Sequence, residues 1–198
     1  MKTLNKPTYI SLFSSAGIGC YGFKLEGFEC IATNELITRR LEIQKFNKKC
    51  KYESGYICGD ITEESTKNAL YEQISFWKKK EGLSRVDVVV ATPPCQGMSV
   101  ANHKKSETEI VRNSLVIESI KIIKQINPRF FIFENVPAFM KTICTDIDGE
   151  HKTIAAAIEN NLGQAYSYTS RVINFKNFGA CSSRQRTVVI GVSKDVAD

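Results

Sequence analysis

The residues best suited to chemistry are one thiol, three carboxylates and two guanidinium groups: Cys95, Glu35, Asp60, Glu134, Arg184 and Arg186. Cys95 follows Pro93-Pro94 directly, after the apolar run Val86-Asp87-Val88-Val89-Val90. A run without polar alternation reads as a buried parallel strand. Two prolines end it, because neither can donate to a ladder. The thiol therefore stands just past the carboxyl end of a strand, where ligands and reacting groups collect in open α/β sheets. The plain alternative is a small buried thiol, the usual state of a free cysteine. A thiol beside a carboxylic acid and two arginines suits covalent catalysis on an electron-poor ring. Arginines favour the thiolate, which is the reactive form, and the acid can protonate or hydrogen-bond a ring nitrogen.

These groups need strands and turns to hold them. Residues 8–13 read as a first strand that runs into Ser14-Ser15-Ala16-Gly17-Ile18-Gly19-Cys20-Tyr21-Gly22. Small residues there let the backbone turn tightly, and a following helix start could attract an anionic group. The G-x-G-x-x-G spacing after a strand points to a nucleotide-like cofactor. A second strand over 28–35 ends in Asn34-Glu35. That acid can accept from ribose hydroxyls or cap the helix expected over 38–47. A third strand over 56–61 carries Asp60 near its end, before an amphipathic helix over 62–80 with Leu70, Ile74 and Trp77 on one face. Gly82 stops that helix. Residues 96–112, with His103, Lys104 and Lys105, form a polar loop of a length that suits a lid.

A helix over 113–125 then leads to a fifth strand over 129–137 that carries Glu134. A loop over 140–152, a helix over 153–161, strands over 166–175 and 184–191, and a tail from 193 complete the chain. Strands alternating with helices make a doubly wound parallel sheet, with Glu35, Asp60, Cys95 and Glu134 at its ligand edge.

With 198 residues, 42% hydrophobic and 24% charged, the chain suits one soluble α/β domain. No apolar run reaches a membrane span, and the first residues lack a signal peptide's apolar core, so a cytoplasmic protein is expected. Seven cysteines without a Cys-x-x-Cys pair speak against a disulfide framework or a zinc knuckle. Met140–Lys152 lacks the acid spacing of a calcium loop, so no metal is expected. The net charge of +6 suits a polyanionic partner.

From about Ile10 to Val192 the chain closely resembles the catalytic domain of the DNA (cytosine-5)-methyltransferases. The resemblance rests on Phe13-Ser14-Ser15-Ala16-Gly17, Asn34-Glu35, Gly59-Asp60-Ile61, Pro93-Pro94-Cys95-Gln96, Arg112-Asn113-Ser114-Leu115, Glu134-Asn135-Val136 and Arg184-Gln185-Arg186, in the family's order. It implies the S-adenosylmethionine-dependent methyltransferase fold, a Rossmann-like three-layer α/β sandwich. Its sheet has seven mostly parallel strands, and the last hairpin supplies the antiparallel one.

It also implies S-adenosyl-L-methionine as cofactor, with S-adenosyl-L-homocysteine as product. Phe13, Ser14, Ser15, Ala16, Gly17 and Gly19 would hold its methionine part. Glu35, with Asn34 beside it, would take the ribose. Asp60 would read the adenine amino group, Ile61 would pack on the adenine, and Pro93 would lie near the sulfonium. Cys95 would add to C6 of cytosine, Glu134 would hydrogen-bond N3 and the exocyclic amine, and Arg184 and Arg186 would sit near the base carbonyl and the thiolate. The base must leave the stack of double-stranded DNA for this chemistry. His103, Lys104 and Lys105 would then meet phosphates or be ordinary loop polarity.

Three departures qualify the match. Ser15 replaces a glycine of Phe-x-Gly-x-Gly. Ser182 stands where the late Gln-x-Arg-x-Arg motif has its glutamine. The sequence stops at Asp198, before the family's target-recognition domain and closing helix. The expectation is a fragment of a longer enzyme, or one subunit of a split enzyme whose second polypeptide supplies target recognition. Apolar surface should then be exposed near the Gly22–Gly27 helix.

The alternatives are a cofactor-binding scaffold subunit without activity of its own, or an RNA cytosine-5 methyltransferase. A nicotinamide oxidoreductase would leave Pro93-Pro94-Cys95 and Glu134-Asn135-Val136 unexplained. An adenine amino-methyltransferase would want an aromatic residue after Pro-Pro.

Overall fold

The structure is a computed structural model and describes residues 6–94 and 115–197. It is an α/β fold whose main sheet has seven strands, mostly parallel. The chain falls into two compact units, Met1–Ala91 with Gln125–Arg129, and Thr92–Lys124 with Phe130–Asp198.

In the first unit the strand order is β3-β2-β1-β4, all parallel. The strands are β1 (Thr8–Leu12), β2 (Glu29–Glu35), β3 (Tyr56–Cys58) and β4 (Val88–Ala91). β1 is central and every residue of it is buried, as expected for a strand covered on both faces. Its first residue is fixed by Asp87, whose Oδ2 accepts from the Thr8 N–H at 2.8 Å and the Thr8 hydroxyl at 2.9 Å. Arg129 pairs with the other oxygen of Asp87 at 3.2 Å. The helices are α1 (Tyr21–Leu25), α2 (Thr38–Phe46) and α3 (Glu64–Glu81). α3 buries Leu70, Ile74 and Trp77, the expected face, and ends where Gly82 turns left-handed at φ +71°.

The second unit holds β5 (Phe130–Asn135), β8 (Tyr166–Asn174) and β9 (Gln185–Ser193) in the order β5-β9-β8. β9 runs antiparallel to both neighbours, as the resemblance implied for the last hairpin. Helix α4 (Leu115–Ile126) buries Val116, Ile120 and Ile123. Helix α5 (Ile154–Leu162) starts at Thr153, whose hydroxyl accepts the Ala156 N–H at 3.2 Å.

Two stretches differ from the sequence reading. Residues 140–152 contain a small hairpin, β6 (Ile143–Thr145) with β7 (His151–Thr153). Strands of three residues are too short to show alternation, and their stability comes from the turn. Buried Asp146 accepts from Asn161 at 2.7 Å and the Ile147 N–H at 2.8 Å, and it pairs with Lys152 at 3.3 Å. The expected tail begins with a short helix, α6 (Lys194–Ala197), next to a Ser193 hydroxyl hydrogen-bonded to Asp195. Among the described residues, no helix is long and apolar enough to cross a membrane.

Gly191 stands opposite Phe131 across the β5–β9 pair. A Cβ at Gly191 would come within 2.0 Å of the fully buried Phe131 ring. Gly191→Ala should therefore overpack this layer and lower stability by about 1–3 kcal/mol, read as an earlier urea midpoint in equilibrium unfolding.

Candidate active site

In the first unit the site is built on the turn after β1. Three of its residues lie in the left-handed backbone region: Phe13 at φ +54°, Ser15 at +49° and Gly17 at +87°. Only glycine adopts this region freely, and a non-glycine residue there costs on the order of 1–3 kcal/mol. The conformation at Ser15 explains why a glycine is usual at that position. Gly17 has a second constraint, since a Cβ there would come within 3.0 Å of the Gln44 side chain.

Several groups hold the turn. The Ser14 N–H and hydroxyl both donate to the Asn34 carbonyl at 3.0 Å. Gln44, buried on α2, donates from Nε2 to the Ser14 hydroxyl at 2.8 Å and to the Ser15 carbonyl. Its Oε1 accepts the Thr33 hydroxyl at 2.8 Å.

Glu35 is 4% exposed. Its Oε2 accepts the Ser15 N–H at 2.7 Å. Its Oε1 accepts the Ile37 N–H at 3.1 Å and pairs with Arg40 at 3.2 Å. The acid thus braces the turn after β1 and satisfies the Ile37 N–H just before α2. Asn34 is buried, and its amide donates to the Gly59 carbonyl at 3.0 Å, which fixes the turn that carries Asp60. Asp60 itself is exposed and accepts the Thr62 N–H and hydroxyl through Oδ1. Ile61 is buried, Ala16 is half-buried and Gly19 is exposed.

In the second unit, Glu134 lies on β5 one residue before its end, its side chain 30% exposed. Arg186, at the start of β9, pairs through Nε with Glu134 Oε1 at 3.1 Å and donates from a terminal nitrogen to the Gln185 carbonyl at 2.7 Å. Arg184 is exposed in the connection before β9, and its carbonyl accepts the Phe175 N–H at 3.0 Å. Among the described residues the structure brings Arg186, not Arg184, to Glu134. Asn135 is buried and donates from Nδ2 to the Pro93 carbonyl at 2.8 Å, while its Oδ1 accepts the Val136 N–H at 2.8 Å. Cys95, Gln96, the 96–112 loop with His103, Lys104 and Lys105, and Arg112-Asn113-Ser114 lie outside the described residues.

Two supporting residues, Arg40 and Gln44, escaped the sequence reading, and Asn135 was read there only as part of a motif. Arg40 carries no signal in one sequence. Gln44 shares the buried side of α2 with Leu41, and a polar residue on an apolar stripe marks a buried hydrogen bond. Asn135 is buried on the same alternating face of β5 as Phe131 and Phe133, which is the same signal at period two.

A family model described as C-5 cytosine-specific DNA methylase matches residues 8–197. The Type II methyltransferase M1.HgaI of Avibacterium volantium is 32% identical over 184 residues, which cover 91% of this chain and 48% of that protein. M.NmeDI of Neisseria meningitidis serogroup C is 30% identical over 199 residues, covering 94% and 44%. M.AquIA of a Picosynechococcus strain is 28% identical over 184 residues, covering 92% and 70%. The chain thus spans about half the length of the first two relatives. Its fold is shared with the crystal structure of a prophage-encoded DNA modification methyltransferase (E. coli), at a TM-score of 0.70 and 22% identity over 97% of this chain and 48% of that one.

Removing the Asn135 amide would leave the Pro93 carbonyl and the Val136 N–H without their partner. Asn135→Ala should cost about 1–3 kcal/mol, measured by urea unfolding. Glu35→Gln would turn an acceptor into a donor facing an N–H, and a loss of the same size is expected in the same measurement.

Proposed function

The chain belongs to the C-5 cytosine-specific DNA methylase family, and on that premise we propose that it transfers a methyl group from S-adenosyl-L-methionine to C5 of cytosine in double-stranded DNA. Residues 1–198 act in this reading as one catalytic and cofactor-binding domain. Target recognition comes from residues beyond them, in a longer chain or a second polypeptide. The protein works in the cytoplasm, where its +6 charge favours contact with DNA phosphates.

The observation that carries the reading is the Glu134–Arg186 pair at the end of β5. A partly exposed carboxyl group, held by a guanidinium through one oxygen, can accept from a base's exocyclic amine and, with a proton, donate to the adjacent ring nitrogen. The next residue, Asn135, holds the Pro93 carbonyl two positions before Cys95. The two motifs that define the family's chemistry are therefore tied to each other by a buried hydrogen bond.

The donor set of the first unit fits the cofactor. Glu35 is a carboxylate of the kind that accepts from ribose hydroxyls, exposed Asp60 can accept from an adenine amine, and Gly19 leaves open space beside the turn. Phe13, Ser14, Ser15, Ala16, Gly17, Gly19, Asn34, Glu35, Asp60, Ile61 and Pro93 are the residues proposed to hold it. Once bound there, S-adenosyl-L-methionine supplies an electrophilic methyl group.

The protein must make C5 nucleophilic. The Cys95 thiolate adds to C6 and pushes electron density to C5. Glu134 delivers a proton to N3 and accepts from the exocyclic amine, neutralising the negative charge that develops on the ring. Arg186 keeps Glu134 oriented, and Arg184 and Arg186 favour the thiolate. Loss of the C5 proton expels Cys95 and restores the aromatic ring.

The surface around α1 supports a missing neighbour. Ile18, Leu25 and Phe46 are 82%, 68% and 87% exposed, the apolar surface expected next to the Gly22–Gly27 helix.

Methyl transfer from labelled S-adenosyl-L-methionine to unmethylated DNA tests the reading, first with this chain alone and then with the polypeptide encoded downstream added. Incorporation should vanish in Cys95→Ala and fall about 10²–10⁴-fold in Glu134→Gln. Unchanged incorporation in Cys95→Ala would sink the covalent mechanism. Cofactor binding without any incorporation under either condition would favour the scaffold reading.

A further inference from the structure

Two thiols in the first unit belong to none of this chemistry. Cys30 on β2 and Cys50 after α2 are both buried and paired in an isolated parallel β-bridge. The Cys50 thiol donates to Cys30 Sγ at 3.5 Å. Strands joined by backbone bridges lie about 4.7–4.9 Å apart, inside the roughly 4.4–6.8 Å range of Cα separations across a disulfide. Forming the bond draws the sulfurs from 3.5 Å to about 2.05 Å. Gly55 makes the room, since a Cβ there would sit 3.2 Å from Cys50 Sγ and 2.8 Å from the Ile31 carbonyl.

The two sulfurs are also differentiated. Burial pushes the Cys30 thiol up, but the hydrogen bond from Cys50 and the charge of Lys49 outweigh it and hold Cys30 below the ordinary thiol range. Cys50 is pushed well above that range by its hydrogen bond to Cys30 and by burial. One sulfur is thus favoured as the attacking thiolate and the other as the protonated partner. A cavity of about 310 Å³ is lined among others by Tyr9, Cys20, Gln44 and Lys49, the residue before Cys50.

We propose that Cys30 and Cys50 form a reversible thiol–disulfide pair, closed by hydrogen peroxide and reopened by a dithiol reductant. The Cys30 thiolate attacks one peroxide oxygen, the O–O bond breaks, and the departing hydroxide takes up the proton lost by the Cys30 thiol and leaves as water. The Cys50 sulfur then attacks the resulting sulfenic sulfur, the S–O bond breaks, and a second water leaves with the Cys50 proton. In sum, two thiols and one peroxide give one disulfide and two waters. The sulfurs lose two electrons and the peroxide gains them.

The pair is wired to the turn after β1. Lys49, adjacent to Cys50, donates to the Thr33 hydroxyl at 3.0 Å. Thr33 donates to Gln44, and Gln44 holds Ser14 and Ser15. Closing the disulfide repositions the Cys50 backbone and through this chain loosens the turn. That consequence rests on the proposed cofactor site, whereas the disulfide itself does not.

The test exposes the full chain to hydrogen peroxide, blocks free thiols with N-ethylmaleimide under denaturing conditions, and maps peptides by mass spectrometry. A Cys30–Cys50 linked peptide is expected. It should disappear with dithiothreitol and be absent from Cys30→Ser and Cys50→Ser. Protein still folded by circular dichroism, with both thiols fully alkylated, overturns the pair, as does Cys30 carried to sulfinic acid or linked to Cys20. Calorimetry with S-adenosyl-L-homocysteine should show weaker binding to oxidised wild type and no effect of peroxide on Cys50→Ser. A linked peptide with unchanged affinity overturns the coupling to the turn. No binding even to reduced protein counts against the cofactor reading and leaves the disulfide result to stand on its own.

Discussion

The carboxylate of Glu35 is the constraint on which the first unit's site depends. The turn after β1 has three consecutive-but-one residues with positive φ, a shape the backbone does not keep unaided. Glu35 supplies an acceptor to the Ser15 N–H and, through its other oxygen, to the Ile37 N–H and Arg40. A charged acceptor makes stronger hydrogen bonds than a neutral one, and burial strengthens them further. The Gln44 amide closes the turn from the opposite side. The strained turn, the end of β2 and the entry to α2 therefore form one hydrogen-bonded corner.

The second unit solves a similar problem with an amide. Pro93 cannot donate a backbone hydrogen bond, and Pro94 leaves the chain free of any ladder. The Asn135 side chain supplies what the ladder cannot, donating to the Pro93 carbonyl while its own oxygen takes the Val136 N–H. Its neighbour Glu134 meets Arg186. Alternation along β5 separates the two: Asn135 is turned into the interior to hold structure, and Glu134 is left partly exposed.

Buried polar side chains outside the reacting groups do much of this positioning. Gln44, Asn34 and Asn135 each satisfy backbone or hydroxyl groups that would otherwise be orphaned, and an unsatisfied buried group costs about 1–3 kcal/mol. The thiols of Cys30 and Cys50 touch each other, and Lys49, next to Cys50 in the chain, donates to Thr33. A change of bonding there has a short hydrogen-bonded path to the turn.

The sequence by itself determined the elements and the acids. Residues at or next to strand ends, such as Glu35 and Glu134, are legible because a β-branched or aromatic run stops beside them, and Gly82 is legible because helices end on left-handed residues. The motif order was enough to name the family. The tertiary structure decided what each polar group bonds to. Arg186 rather than Arg184 meets Glu134 because the antiparallel register places Thr187 opposite Asn135 and leaves Arg186 one step beyond. The β6–β7 hairpin stayed hidden because its three-residue strands carry no period and depend on Asp146, Asn161 and Lys152 meeting in space. The Cys30–Cys50 approach was invisible for the same reason: a bridge between residues twenty apart is set by packing, and local sequence encodes only which face a residue turns to.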